Sequence, residues 1–569
     1  MSDTTAPDAS QHLDAISDRY WDLLLERSPT WATDLGDRRF DDRLQDLSLE
    51  LRATFFAACR TLKADLVRIP ADGLSGQHAI THEVLHTLLD LEIENEAFVD
   101  EQWTINPLTG PLFGVTELAE RQPVVPRESL HKLVSRFQQV PRLMSQVMDH
   151  LRTGIAQGRT APRMGPERMA AQIRRMLEIS PETSAFMPPE VLASSIGAEA
   201  YGSIRDELAG VVSRHVYPAL AAYGDFLEQT YLPSARVQPG LCAMPDGEAY
   251  YQFLIRLYTG SALTAQQIHQ IGREELARIH EEMRAIGVDV FGDPDIRNLA
   301  ERLRSQSDQY LPDRDSLLDH NRALLERAEA ALPGYFSRLP ARRCEVRAIE
   351  PFREMDSPSG YYCHAPDDGS RPAYYYVNTS RPDHRPLYNM EALAFHEAMP
   401  GHHLQIAIAQ DLEGLPAFRR HTGQTAYIEG WALYSERLSD EMGLYSSRLT
   451  RFGMLNYQAW RAARLVIDTG IHALGWSREQ AVKEMLHCTA HTEPEAVVEV
   501  DRYISMPGQA LAYMLGRISI DELRATARER LGNRFDLKEF HSRVLENGAV
   551  PLASLRHLIG RWLDASAEA

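Results

Sequence analysis

Apolar residues recur every three or four positions along most of this chain, and most of the expected elements follow from that spacing. SDRYWDLLLERSPTWATDL (17–35), ESLHKLVSRFQQVPRLMSQVMDHLRTGIAQG (128–158) and SIRDELAGVVSRHVYPALAAYGDFLEQTYL (203–232) each carry an apolar stripe with charges on the opposite face. That is the pattern of amphipathic helices packed in a bundle. The periodicity breaks at RTAPRMGPERM (159–169) and more fully at LPSARVQPGLCAMPDGEAY (232–250), where proline, glycine and small polar residues cluster. The second break, about 232–247, predicts a boundary between an N-terminal helical lobe, 1–240, and a C-terminal lobe, 241–569. Strand signals are few. CEVRAIEPF (344–352) alternates, and RPAYYYVNTS (371–380) is aromatic and β-branched between proline-rich turns. In a strand Tyr374 and Tyr376 face one side and Tyr375 the other. The expectation is a mainly α protein of two lobes with one small sheet.

Composition narrows the function classes. The 569 residues exceed a single ordinary core, and a 44% apolar content is enough to fill two lobes or one large composite domain. With 80 acidic against 60 basic residues the formal charge is −20, which repels phosphate backbones and anionic lipid, so neither nucleic acid nor a membrane surface is the expected partner. Five scattered cysteines without a C-x-x-C pair suit reduced thiols in a cytoplasm. The polar, acidic start MSDTTAPDASQHLDAISDRY lacks the basic and apolar regions of a secretory signal, and no apolar run reaches the roughly 18 residues of a membrane span. A cytoplasmic location is expected.

The candidate chemistry lies in EALAFHEAMPGHHLQ (391–405). A zinc helix places two histidines at i and i+4, one turn apart on one face, with a glutamate beside the first that reaches the metal's water. Here His396 and Glu397 are present, but i+4 is Pro400, which cannot donate to the His396 carbonyl and whose ring pushes against it. The helix must kink, widen or restart. If Pro400–Gly401 is a wide, π-type turn added to the helix, His402 moves into the place of the missing partner. His403 is the alternative ligand: it returns to within about 20° of the His396 face but about 10 Å further along the axis, a gap that two imidazoles sharing one zinc do not easily close. A third ligand is sought on QTAYIEGWALYSERLSDEMG (424–443), where Tyr427, Trp431, Tyr434 and Leu438 form one helical stripe and Glu429, Ala432, Leu433 and Glu436 another. Glu429 is the candidate, since catalytic zinc takes three protein ligands and keeps a fourth position open.

HEAMPGHHLQ followed by YIEGWALYSE resembles the DUF885 family, whose members are similar to zincin-type peptidases of the gluzincin kind. SPTWATDLGDRRFDDRL, INPLTGP, PDGEAYYQFLIRLYTGSALTAQQIHQIG, YYYVNT and EVDRYISMPGQALAYMLG are also similar to family segments, in family order, so the likeness covers nearly the whole chain. The resemblance implies a large two-lobed helical zincin-like fold, with the small sheet next to the active-site helix and a deep central cleft. It implies that His396, His402 and Glu429 hold zinc and that Glu397 is the general base. Manganese, cobalt or iron would fit the same mixed ligands. Tyr503 and Tyr513 resemble tyrosines that helical gluzincins place opposite the metal, where an oxyanion needs donors. Arg502 could fork onto a substrate carboxylate or pair internally with Glu499 or Asp501. The edge of AYYYVN, with Tyr374 and Tyr376, could hold an extended peptide by backbone pairing. The expected activity is zinc-dependent hydrolysis of amide bonds in short peptides. The alternatives are an amidase or deacylase releasing a modified amino acid, and a non-catalytic helical binding protein. End preference, scissile bond and oligomeric state have no sequence signal.

Overall fold

The computed structural model describes residues 9–106, 110–190, 192–349, 354 and 357–568. The chain forms two compact units: Met1–Pro70 with His86–Gly247 and Pro366–Asp368, and Ala71–Leu85 with Glu248–Ala365 and Gly369–Ala569. The chain passes from the first to the second after Gly247, at the end of the proline- and glycine-rich stretch. The assignment of Ala71–Leu85 to the second unit has no sequence signal, because the helix Gly76–Asn95 runs through that point unbroken. Among the described residues no helix is long and apolar enough to cross a membrane.

The first unit is helical: α1 (Ala9–Arg27), α2 (Leu49–Val67), α3 (Arg127–Gln157), α4 (Met164–Glu178), α5 (Ala198–Val211) and α6 (Tyr217–Phe226). Leu133, Phe137 and Val140 of α3 pack with Leu208 of α5, Leu220 of α6 and Ile173 of α4 in one apolar core. The run 203–232 is not one uniform helix. A π-type turn at Val212–Val216 separates α5 from α6. It absorbs Pro218, whose missing N–H and bulky ring a tight turn does not accommodate.

The second unit contains α7 (Ala265–Phe291), α8 (Arg314–Ala331), α9 (Leu387–Glu397), α10 (His402–Gln410), α11 (Thr425–Glu441), α12 (Arg448–His472), α13 (Glu493–Ser505) and α14 (Ala512–Leu531). Its sheet has three strands, β1 (Cys344–Ala348), β2 (Gly360–Cys363) and β3 (Ala373–Val377), in the order β1-β3-β2. β3 runs parallel to β1 and antiparallel to β2. β1 and β3 fall within the two predicted runs, although 350–352 lie outside the described residues. β2 was not anticipated, because GYYC is too short to show an alternation. As the middle strand, β3 is hydrogen-bonded on both edges, which overturns the expectation that AYYYVN offers an edge to a peptide. The alternation itself holds: Tyr375 is fully buried among Leu317, Leu324 and Leu325 of α8 and Met390 and Ala394 of α9. On the opposite face Tyr376 stacks on Tyr361 at 4.9 Å and meets Tyr374 edge-on at 5.5 Å. The apolar layer under Tyr375 thus seats α9 against the sheet.

α12 is buried on nearly every side from Phe452 to His472, as befits a helix at the centre of its unit. α11 and α14 meet by their backbones. A Cβ at Gly516 would stand 1.8 Å from the Ala426 carbonyl oxygen and 2.7 Å from Gly430 Cα, and one at Gly430 would stand 2.4 Å from the Gly516 carbonyl carbon. Only glycine fits at either position, and the crossing brings the residue before Gly430 close to the turn of α14 that precedes Gly516.

Gly516→Ala is expected to destabilise the protein by about 1–3 kcal/mol or more through overpacking. Gly560→Ala adds a Cβ with no atom within 4 Å, in the helix Leu552–Glu568, and is expected to be neutral or to stabilise by up to about 1 kcal/mol. Urea denaturation of both variants checks the pair. Equal effects would remove the backbone crossing as a constraint.

Candidate metal centre

α9 stops at Glu397. Ala398 has φ −106° and ψ −101°, Gly401 has φ −80° and ψ −127°, and the Met399–Pro400 peptide bond is cis. The helix therefore restarts instead of widening, which corrects the expectation of a π-type turn here. The reason is local. Pro400 has no N–H for the His396 carbonyl, and a Cβ at Gly401 would fall 1.9 Å from that same oxygen and 2.4 Å from the Phe395 oxygen. The connection folds back on itself with Gly401 pressed against the end of α9. Its outer side is held by α11: Trp431 Nε1 donates to the Pro400 carbonyl at 3.0 Å and Ser435 Oγ at 3.1 Å. Both donors lie on the buried side of the helix that also carries Glu429.

This arrangement brings His396, His402 and Glu429 together, with one ligand atom from each inside 4.8 Å of the others. The imidazoles stand almost perpendicular, at 86°, with centroids 4.8 Å apart. Glu429 Oε2 lies 3.6 Å from His396 Nε2 and 3.3 Å from His402 Nε2. That oxygen is buried and makes no well-aligned hydrogen bond, an uncommon state for a carboxylate. Burial alone would lower the His396 pKa, but Glu429 and Glu436 outweigh it and raise it to about 9. Burial likewise opposes ionisation of Glu429, and the neighbouring His402 and His396 reverse this and hold its pKa well below the usual glutamate range. Two imidazoles with one carboxylate form a donor set suited to zinc.

Glu436, which shares the Glu429 stripe and stands next in line as a third ligand on sequence grounds, has a different task from Glu429. It is fully buried, and its Oε1 lies 2.8 Å from His396 Nδ1 while its Oε2 accepts from Gln458 at 3.0 Å. A carboxylate on the far nitrogen fixes the ring and turns Nε2 toward the cluster. The seven-residue step from Glu429 to Glu436 was the available signal, since it keeps both on one helical face. Glu397 is held from the sheet: the Tyr362 amide of β2 donates to its Oε2 at 2.9 Å. No sequence pattern marks that contact, because it depends on the register of a strand four residues long.

His403 points elsewhere. Its Nδ1 meets the Tyr362 hydroxyl at 3.1 Å and its Nε2 the Arg342 carbonyl at 3.0 Å, and burial lowers its pKa to about 4. With both nitrogens committed, the neutral ring tethers α10 to the segment before β1. Tyr513 stacks near His396, with ring centroids 6.3 Å apart and 16° between planes. Tyr503, paired with it in the sequence reading, is fully buried, and its hydroxyl oxygen accepts from Trp460 Nε1 at 2.9 Å and Arg464 Nε at 3.1 Å. That corrects its placement among residues that reach a substrate. Arg502 donates to Glu499 at 3.2 and 3.3 Å and to Gln509 at 2.9 Å, so its guanidinium is engaged internally. Asp501 pairs instead with Arg478. Tyr374 and Tyr376 belong to the sheet face beneath Arg347, whose Cζ lies 5.2 and 5.6 Å from their rings.

Among curated proteins no relative matches this chain. Solved structures similar to it include the following two. One, from Colwellia psychrerythraea and described as a lipoprotein, is 29% identical with a TM-score of 0.93, over 98% of this chain and 100% of that one. The other, described as a lipoprotein of unknown function from Shewanella oneidensis, is 20% identical with a TM-score of 0.73, over 97% and 100%, and speaks to the fold alone. The family model "Bacterial protein of unknown function (DUF885)" matches residues 29–559, and the chain belongs to that family.

Proposed function

We propose that this chain is a zinc-dependent hydrolase of amide bonds in short peptides, on a zincin-like arrangement of α9, α10 and α11. The observation that carries the reading is the convergence of His396, His402 and Glu429 within 4.8 Å, with Glu397 beside them on the same short helix as His396. Bound by those three side chains, zinc would supply Lewis acidity toward a carbonyl and lower the pKa of water to about 7. The remaining work falls to the chain. Glu397 has one oxygen fixed by the Tyr362 amide, so its other oxygen takes a proton from water and passes it to the leaving amine. The Tyr513 phenol, ring against His396, is the donor for a developing oxyanion. Burial raises its pKa, so it stays protonated at neutral pH and able to donate. Tyr503 serves by holding Trp460 and Arg464 in place. The outer edge of β2 adjoins Glu397, which makes it the strand that supports a bound peptide backbone.

Elemental analysis is expected to find one zinc per chain in the wild type and none in His396→Ala. Glu397→Gln is expected to keep its zinc and lose about 10²–10⁴-fold in hydrolysis, read by product release from a peptide library. Full activity in that variant would take Glu397 out of the scheme.

Glu429→Ala and Glu436→Gln separate a ligand from the residue that orients one. The first is expected to abolish stoichiometric zinc, and the second to weaken affinity about 10–100-fold with zinc still bound at saturation. Competition against a chelator measures both, and the reverse order would exchange the two roles.

A further inference from the structure

Beyond the Tyr513 ring lies a group of cationic side chains that the hydrolytic scheme does not use. Arg461 and Arg464 stand three residues apart on α12, hence side by side on one helical face, and Arg502 comes from α13. Arg461 and Arg464 are 4% and 3% exposed. Guanidiniums this buried ordinarily have carboxylates or carbonyls on their N–H groups. Here the acceptors run out. Glu499 Oε2 receives both Arg464 at 3.3 Å and Arg502 at 3.2 Å, and among the described residues it is the carboxylate paired with these arginines. Arg464 Nη1 is left without an acceptor, and so are Nε and Nη1 of Arg461.

What surrounds Arg461 is aromatic. Its Cζ lies 4.5 Å from the Tyr457 ring, 4.1 Å from Trp460 and 5.9 Å from Tyr513, while Arg464 Cζ lies 4.4 Å from Trp460 and 4.3 Å from Tyr513. Ring faces stabilise a cation from above and below its plane and supply no in-plane acceptor for the N–H fork. The two side chains are thus held rigidly, desolvated and charged, with hydrogen-bonding directions left over. A planar oxyanion is the partner that such a fork fits. The position of the group matters as much as its charge. The Tyr513 ring has His396 on it at 6.3 Å and Arg464 at 4.3 Å, so one side chain separates the arginines from the candidate metal centre. A peptide residue spans at most about 3.3–3.6 Å, which puts an anion on these arginines about two to three residues from a bond at the cluster.

We propose that Arg461 and Arg464 form an anion subsite that receives the free terminal carboxylate of a short peptide. Cleavage then falls near the carboxyl end, and the amidated form of the same peptide is a poor ligand. The location of the cut rests on the hydrolase reading above; the binding of the carboxylate does not.

The test is a library of di- and tripeptides, each prepared as the free acid and as the C-terminal amide, with some amides carrying a glutamate side chain. Binding to the full-length protein is read by titration calorimetry and cleavage by product release. The free acids are expected to bind at least tenfold more tightly than their amides. Arg461→Met and Arg464→Met are expected to bring that ratio to within twofold. Acid and amide binding equally to the wild type overturns the proposal, and this comparison needs no variant to fold. A preference that persists in both variants overturns it too, as does one that follows the glutamate side chain instead of the terminus. Acid preference without zinc or cleavage supports the subsite and removes the hydrolase reading. Cleavage without acid preference does the opposite.

Discussion

The Pro400 carbonyl is the point at which two helices that share no sequence proximity are locked together. It projects from the connection between α9 and α10, and it receives two donors from α11, Trp431 and Ser435. A buried carbonyl without a donor is costly, on the order of 1–3 kcal/mol, so α11 cannot slide or rotate on α9 and α10 without losing both bonds. His396 lies before this connection, His402 after it, and Glu429 on α11 two residues before Trp431 and six before Ser435. The spatial relation among the three is therefore set by backbone geometry and two hydrogen bonds, not by the side chains' own rotamer preferences.

Around that frame the charged groups are arranged in layers. Glu436 holds the far nitrogen of His396, and Gln458 holds Glu436. On the sheet side Tyr362 contributes its amide to Glu397 and its hydroxyl to His403, so one residue of a short strand orients groups on two different helices. Both oxygens of Glu436 have partners, whereas Glu429 Oε2, His402 Nδ1 and the inner N–H groups of Arg461 and Arg464 do not.

The helical class and the two strands β1 and β3 were legible in residue spacing. His396, His402 and Glu429 were candidates from spacing and from the family resemblance, with His403 left as an alternative, and the structure brings the first three within 4.8 Å of one another. The parts that were not legible share a cause: they depend on contacts between segments far apart in the chain. The middle position of β3 follows from β2, four residues with no pattern of their own. The restart at Pro400 has a local cause, but the anchoring of its carbonyl comes from donors 31 and 35 residues away. Arg461 and Arg464 had no sequence signal, because spacing cannot reveal that α12 is enclosed on nearly every side.

The contact of α11 with α14 through bare backbone at Gly430 and Gly516 has a mechanical corollary. Most helix pairs are separated by a layer of side chains that can repack and so cushion small displacements. No such cushion exists here. Glu429 and the Tyr513 phenol consequently belong to one stiff body whose internal distances do not adapt to what is bound. Accommodation of differently shaped molecules has to come from parts that are not welded in this way.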